Sequence, residues 1–486
     1  MFDGFAGAAL VDAIGESARA ESAAAAHRLA AIAELVAREA IGETDSGRWS
    51  CDNWDAIAAQ VAAALNISHP MASGQMYLAM ALRDRLPKLA ALLADGIISL
   101  RLATSIVWRT YLIKDPVALS LVDAALATDA RRYGPLSVAK TDAAIDAIVS
   151  RHDPAAVRRS QSAARGRDVV ISPADDDSGT VSLWGSLLAT DGVTVDRRLT
   201  QMAHQVCEDD PRTIGQRRAD ALGTLAADGK RLACACANPH CPARTDTDPR
   251  AAAVVIHVVA DPASLNAEPD PHASGAEPTH ASAAGKPPTR LPTAQIFGGG
   301  TVPAPLLAGL AAAGAKVTTL NCFTDAAPES SYRPSAALAR FIRCRDMTCR
   351  FPGCDAAAEL CDLDHTIAYP FGPTHPSNLK CLCRKHHLLK TFWNGPRGWR
   401  DRQLPDGTVI WTAPTGHTYT TRPGSRLLFP TLCLPTGEIS TDSTAQPQSS
   451  YRGLMMPIRR RTRQQDRHQR INTERALNYR TGKLTS

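Results

Sequence analysis

Cys349-Arg-Phe-Pro-Gly-Cys354 and Cys383-Arg-Lys-His386-His387-Leu-Leu-Lys390 decide how the last third of this chain is read. Each run carries two soft metal ligands a few residues apart: Cys349 with Cys354, and Cys383 with His386. A turn that short sets both donors on one side of the backbone, so the two pairs together make a four-ligand tetrahedral zinc site. Gly353 lets the backbone fold back toward the metal. The ion then staples a segment too small to have a core of its own. Cys344 precedes Cys349 at the spacing that separates Cys349 from Cys354, and Cys381 and Cys361 are further candidate ligands.

Between the pairs lie Cys361-Asp-Leu-Asp364-His365 and Pro373-Thr-His-Pro-Ser-Asn378-Leu379. Hydrolysis of a phosphodiester needs a base to activate water and a divalent cation to neutralise charge on the phosphoryl oxygens and leaving group. Neighbours on a strand point to opposite faces, so Asp364 and His365 act together only where the strand bends or ends. An isolated Asp-His pair is more often a surface feature. Its position inside the zinc frame, followed by Asn378 and His387, makes it a candidate active site.

These residues resemble the His-Asn-His (HNH) endonuclease motif of the zinc-stapled ββα-metal nucleases: Asp364-His365, Asn378 and His386-His387-x2-Lys390, framed by the cysteine pairs. The resemblance covers residues 340–395 and implies a two-stranded hairpin followed by a helix, cleaving DNA. It makes His365 the general base and gives Asp364 and His387 one catalytic divalent ion, Mg²⁺ or Mn²⁺. Asn378 would hydrogen-bond across the loop and hold the base strand in shape, and Lys390 would face phosphate. His386 then completes the structural zinc site with Cys349, Cys354 and Cys383, although the two histidines could exchange roles. Arg384 and Lys385 either contact phosphate or are solvated charge. The wider chain resembles the 13E12 repeat group, whose long N-terminal part is the domain of unknown function 222. That likeness rests on Pro211-Arg-Thr-Ile-Gly-Gln-Arg-Arg-Ala-Asp-Ala-Leu222, the Val254–Val259 run, Gly407-Thr-Val-Ile-Trp411 and Pro414-Thr-Gly-His-Thr-Tyr419. It assigns the N-terminal part no activity.

The rest of the 486 residues supports a multidomain reading. Alanine-rich runs with apolar residues three to four apart predict a mainly helical domain over residues 1–260, with helices at 17–41, 54–66, 74–94, 96–111, 115–128, 136–150, 191–207 and 210–227. Strand-like runs at 168–172, 180–184 and 252–259 give it a small β-sheet. Residues 261–302, rich in Pro, Ala, Ser, Thr and Gly, read as a linker. Its Gly298-Gly299-Gly300 lacks the Gly-Lys-Ser/Thr of a phosphate loop. An α+β nuclease domain follows over 303–435, with a β-hairpin at 398–421; Trp393 and Trp399 are expected to pack that hairpin against the nuclease helix, the alternative being to stack on bases. Residues 436–486 read as a disordered basic tail.

The net charge of +6 is unevenly distributed. Residues 1–330 carry 30 Lys and Arg against 37 Asp and Glu, so the excess positive charge lies beyond them, ending in Arg459-Arg460-Arg461-Thr462-Arg463. That asymmetry points to a polyanion, DNA, near the C-terminal part, and leaves residues 1–260 for self-association or a protein partner. No run of about 20 apolar residues is present, and Met1-Phe2-Asp3-Gly4 has no basic n-region, so a cytoplasmic protein without membrane contact is expected. Without a secretion signal, the thirteen cysteines are expected to bind metal rather than form disulfides. Cys234-Ala-Cys236 with His240-Cys241 is either a second knuckle, with Cys207 and His204 the nearest partners, or a loop with incidental thiols. Two rival functions remain open: a catalytically inactive zinc-dependent DNA-binding module, and a protein-interaction scaffold.

Overall fold

The computed structural model describes residues 2–39, 45–157, 167–172, 180–236, 238–244, 257–268, 294–297, 300–312, 315–324, 327–393, 398–439 and 455–482. Its N-terminal region is a stack of helices: α1 (Gly7–Glu39), α2 (Asn53–Leu65), α3 (His69–Asp84), α4 (Pro87–Ala94), α5 (Leu100–Arg109), α6 (Pro116–Tyr133) and α7 (Val138–His152). Local chemistry sets their ends. Asp52 and Asp55 form a reciprocal capping box at the start of α2, and Asn66 takes the left-handed conformation at its end. The helical stretch expected over 74–94 is broken at Pro87, which has no N–H to continue the ladder, into α3 and α4. Buried Asp123 of α6 accepts from the Lys88 and Leu89 amides instead, closing the start of α4. Leu29, Ile32, Ile57, Met76, Leu89, Leu93, Ile106, Val122 and Ile145 form the core of this stack.

Small antiparallel sheets and helices follow. β1 (Asp168–Ser172) pairs with β2 (Ser182–Ser186), and α8 (Ala189–Ala203) packs on α9 (Ile214–Ala226). β3 (Val258–Ala260), β4 (Ala294–Ile296) and β5 (Thr301–Val302) make a three-stranded sheet. The ends of the expected linker are therefore ordered, since β4 and β5 complete the sheet that β3 begins. Residues 269–293 lie outside the described residues, as do 252–256 of the expected 252–259 strand. Helix α10 (Ala304–Ala312) comes next.

The C-terminal third holds α11 (Ala336–Asp346), β6 (Cys361–His365), β7 (Leu379–Cys383) and α12 (Arg384–Phe392). β6 and β7 pair antiparallel, from Cys361 opposite Cys383 to His365 opposite Leu379. The expected hairpin at 398–421 is a three-stranded meander, because both Pro-x-Gly turns reverse the chain. β8 (Arg400–Gln403), β9 (Val409–Thr412) and β10 (Thr418–Thr421) pair in that order, with Gly407 and Gly416 at positive φ in the turns. Leu338, Phe341, Phe351, Leu379, Leu382, Trp399 and Trp411 form a second core, to which Cys51, Ala59 and Ala63 also belong. The two halves thus share buried surface.

The basic tail departs most from its sequence reading. Residues 463–482 form a helix, α13 (Arg463–Gly482), and 440–454 lie outside the described residues. The tail is ordered because its charges meet acids of the N-terminal stack. Arg463 donates to Asp52 Oδ1 at 3.3 Å and to Asp55 Oδ2 at 3.0 Å, Arg459 pairs with Asp52, and Arg475 reaches Asp153 at 2.6 Å. Asn478 donates to the Ala155 and Val157 carbonyls, and Ile471 enters the helical core. Part of the positive charge expected to meet a polyanion is therefore neutralised within the chain. No helix of the described residues is long and apolar enough to cross a membrane. Arg463→Ala is expected to lower stability by about 1–3 kcal/mol, because nearly buried Asp52 and Asp55 lose charged donors. A lower urea midpoint at unchanged slope would register it.

Candidate metal centre

The turn at 349–354 and the β7–α12 junction converge. Ligand atoms of Cys349, Cys354, Cys383 and His386 all lie within 4.8 Å of one another, so the four could hold a metal ion such as zinc. His386 Nδ1 is 3.2 Å from Cys383 Sγ and 3.5 Å from Cys349 Sγ. The imidazole is held between elements, stacked on Phe351 at 4.1 Å and edge-on to His69 at 5.5 Å. Cys383 is the N-cap of α12, where the positive end of the helix favours a thiolate. Hydrogen bonding from Cys349 and Cys354, with His386 beside it, holds its thiol far below the ordinary value. Gly353 has φ +74°, and a Cβ there would lie 2.5 Å from the Ile67 carbonyl oxygen, so glycine serves both the turn and its contact with the N-terminal stack. The rival thiols lie outside the cluster: Cys361 faces the Ala357 carbonyl, Cys381 is buried near that of Ile342, and Cys344 stands apart.

The candidate catalytic residues sit on the adjoining strand and helix. Asp364 is buried; Lys380 and Lys390 both donate to its Oδ2, at 2.7 and 2.6 Å. Burial alone would raise its pKa, but the ammonium groups of Lys380 and Lys390 outweigh that and hold the carboxyl well below the usual carboxylate range. Lys380 also pairs with Asp401 of β8 at 2.5 Å and is itself fully buried. Burial would lower its pKa, but the two carboxylates raise it, so it stays charged.

His387 Nδ1 lies 2.8 Å from Asp362 Oδ2, while its Nε2 faces Asp364 Oδ1 at 3.6 Å. With Nδ1–H donating to Asp362, Nε2 presents a lone pair toward a carboxylate oxygen beyond hydrogen-bond reach. Two donors facing one another in this way suit a shared cation, with Asp362 orienting the imidazole from behind. Adjacent positions on a helix diverge by about 100°. His386 accordingly turns to the sulfurs and His387 to the carboxylates.

His365 ends β6, and its Nε2 is 2.9 Å from Thr374 Oγ1. That hydroxyl donates its one proton to the Ser331 carbonyl at 2.6 Å, so it accepts from His365 Nε2–H and leaves Nδ1 as the unprotonated nitrogen. Burial lowers the imidazole's pKa, against the pull of Asp364. Tyr332 stacks on the ring at 5.3 Å. Asn378 accepts from the Ile367 amide at 2.8 Å and donates to the Ile367 and Pro373 carbonyls, bracing the loop between β6 and β7.

The basic residues weighed for phosphate contact differ in how far they reach solvent. Lys390 is turned inward, onto Asp364 and the His365 carbonyl, because the buried carboxylates require cations. Lys385 reaches Asp55 at 2.9 Å, and Arg384 pairs with Asp362 at 3.2 Å near the surface. Trp393 donates to the Cys51 carbonyl and so packs on the N-terminal stack, whereas Trp399 sits buried against Phe351 and Trp411. Sequence reasoning missed Asp362, Thr374, Lys380, Asp401 and Tyr332. Only Asp362 could have been found, being two residues from Asp364 on one strand face.

A family profile described as "Domain of unknown function (DUF222)" matches residues 16–346, ending three residues before Cys349. The chain is 57% identical to Uncharacterized protein Rv2100 of Mycobacterium tuberculosis (strain ATCC 25618 / H37Rv), with 97% of this chain and 88% of that protein covered. It is 56% identical to Uncharacterized protein Rv3776 of the same strain, over 96% of this chain and 90% of the relative. No solved structure matches. Lys380→Met would leave Asp364 and Asp401 buried with one ammonium group fewer between them. A loss of about 3–5 kcal/mol in chemical denaturation is expected.

Proposed function

We propose that this chain, which belongs to the DUF222 family, is a metal-dependent endonuclease that hydrolyses DNA phosphodiester bonds through the residues around Asp364 and His365. The observation carrying this reading is the pairing of two functions across one strand end. A cation-suited gap between Asp364 Oδ1 and His387 Nε2 involves the strand that His365 ends, and the Thr374 contact leaves His365 Nδ1 without a proton.

Asp364 and His387 would hold Mg²⁺ or Mn²⁺, which supplies Lewis-acid stabilisation of charge on the phosphoryl oxygens. The protein's own residues do the remaining work. His365 Nδ1 accepts a proton from the attacking water, and Thr374 keeps the ring in the tautomer that can do so. Burial holds the ring neutral near pH 7, ready to act as a base. Asn378 fixes the loop that carries Thr374, so the hydroxyl stays within reach of the imidazole. Lys380 and Lys390 occupy Asp364 Oδ2 and leave Oδ1 as the oxygen directed at His387. The Cys349, Cys354, Cys383 and His386 cluster, with zinc, fixes the start of the helix that presents His387.

Full-length protein incubated with supercoiled plasmid and Mg²⁺ or Mn²⁺ should convert it to nicked or linear forms. His365→Ala should slow that conversion by about 10²–10⁴-fold, the usual worth of a positioned base. If neither protein cuts DNA with either ion but both retard it in a gel, the chain is a binding module. Absence of both cutting and retardation would favour the scaffold.

A further inference from the structure

We propose that Cys207, Cys234, Cys236 and Cys241 bind a second zinc ion as four thiolates, at a site separate from the C-terminal centre. The four sulfurs lie within 4.8 Å of one another. A zinc–sulfur length of about 2.3 Å in a tetrahedron separates sulfurs by about 3.8 Å, so this spread suits one shared ion. Cys207 follows α8, whereas the other three lie on one loop after α9, so the gathering joins separate elements rather than neighbours in sequence. Cys234, Cys236 and Cys241 are buried, and all four are free thiols. Thiols are weak hydrogen-bonding groups, so packing alone offers no force that selects four of them to face one another.

The loop is built to present them. The Cys234 amide donates to the Ala243 carbonyl at 2.9 Å, and the Arg244 amide donates to that of Cys241 at 3.0 Å, which closes a tight knuckle. Buried Asp210 accepts from the amide of Ala235, between Cys234 and Cys236, at 2.9 Å. Arg212 grips Asp210 Oδ2 and the Ala233 carbonyl, each at 2.7 Å. The Asp210-Pro211-Arg212 segment thus clamps the backbone on both sides of Cys234. These contacts fix the loop without touching the sulfurs.

The local energetics require such a clip. Apart from the cysteines, the core here consists of Met202, Val206, Ala221 and Leu232, with Leu199, Leu225 and Ala243 partly covered. So small an apolar cluster stabilises a helix pair weakly, which is where small folds use metal. The ion holds the loop and the end of α8 against α9. A tetrahedral four-sulfur set suits zinc or iron, and soft thiolates exclude Mg²⁺ and Ca²⁺.

Elemental analysis of full-length protein purified under reducing conditions tests the assignment. The wild type is expected to carry two zinc ions per chain, both released when a mercurial titrates the thiols. Cys236→Ser combined with Cys241→Ser should keep one, and so should Cys354→Ser combined with Cys383→Ser. Wild-type protein with a single zinc that vanishes in the Cys354→Ser, Cys383→Ser variant would overturn the proposal. Iron in place of the second zinc, or a Cys207–Cys234 disulfide under the same conditions, would overturn it too. The wild-type count and mercurial release do not depend on whether a variant folds.

Discussion

Three sulfurs and an imidazole nitrogen gathered within 4.8 Å, with Cys349 and His386 buried, constrain the C-terminal half more than any other contact. Burial raises the Cys349 thiol, and hydrogen bonding with Cys349 and Cys383 raises that of Cys354, so a cation at the centre is what would let all three sulfurs ionise together. What such an ion joins is informative. The 349–354 turn follows α11, Cys383 ends β7, and His386 lies in the first turn of α12. Strand and helix are thereby fixed in angle, and α12 is presented against β6. Phe351, inside the turn, packs on His386, Trp399 and Trp411 and carries the constraint into the meander.

The same centre is held against the N-terminal stack. Asp55, at the start of α2, is a charge hub. It meets His69 at 3.1 Å, Lys385 at 2.9 Å and Arg463 at 3.0 Å, so one carboxylate joins the helical stack, helix α12 and the tail. Burial opposes its ionisation, but His69, Lys385 and Arg463 hold it well below the ordinary carboxylate range. His69 then lies edge-on to the His386 imidazole. These contacts join two regions that composition alone divides, and the shared core around Cys51 and Ala59 joins them further. They also explain why charge counting misread the tail: an arginine paired with Asp52 or Asp55 is not available to a phosphate.

Much of this was legible because the governing patterns are short-range. Helical periodicity marked most of the N-terminal helices, and the spacing of Cys349 with Cys354 and Cys383 with His386 identified the residues that converge. Distance in sequence hid the rest. Lys380 meets Asp401 across 21 positions, Lys385 meets Asp55 across 330, and no local signal announces either. A lysine beside a histidine motif reads as a phosphate contact until a buried carboxylate is known to need it. Turn content was visible in the 398–421 segment, but counting its two reversals as one hairpin lost a strand. Cys207 could be named only as a candidate beside His204, because the other three cysteines lie on a loop beyond the next helix.

The uncertainty over His386 and His387 shows how one turn of helix can serve two pockets without confusion. Their side chains leave the helix in different directions, and each pocket accepts only one of them. The sulfur pocket is buried and aromatic, closed by Phe351 and His69, whereas the Asp362–Asp364 side leaves His387 25% exposed. Lys390 lies one turn further along on the face of His387, so its pairing with Asp364 holds the same register. Rotating the helix by one residue would take His386 from the sulfurs and Lys390 from Asp364 together. The two pockets therefore depend on a single rotational setting of α12, fixed at one end by Cys383 and at the other by a buried ion pair.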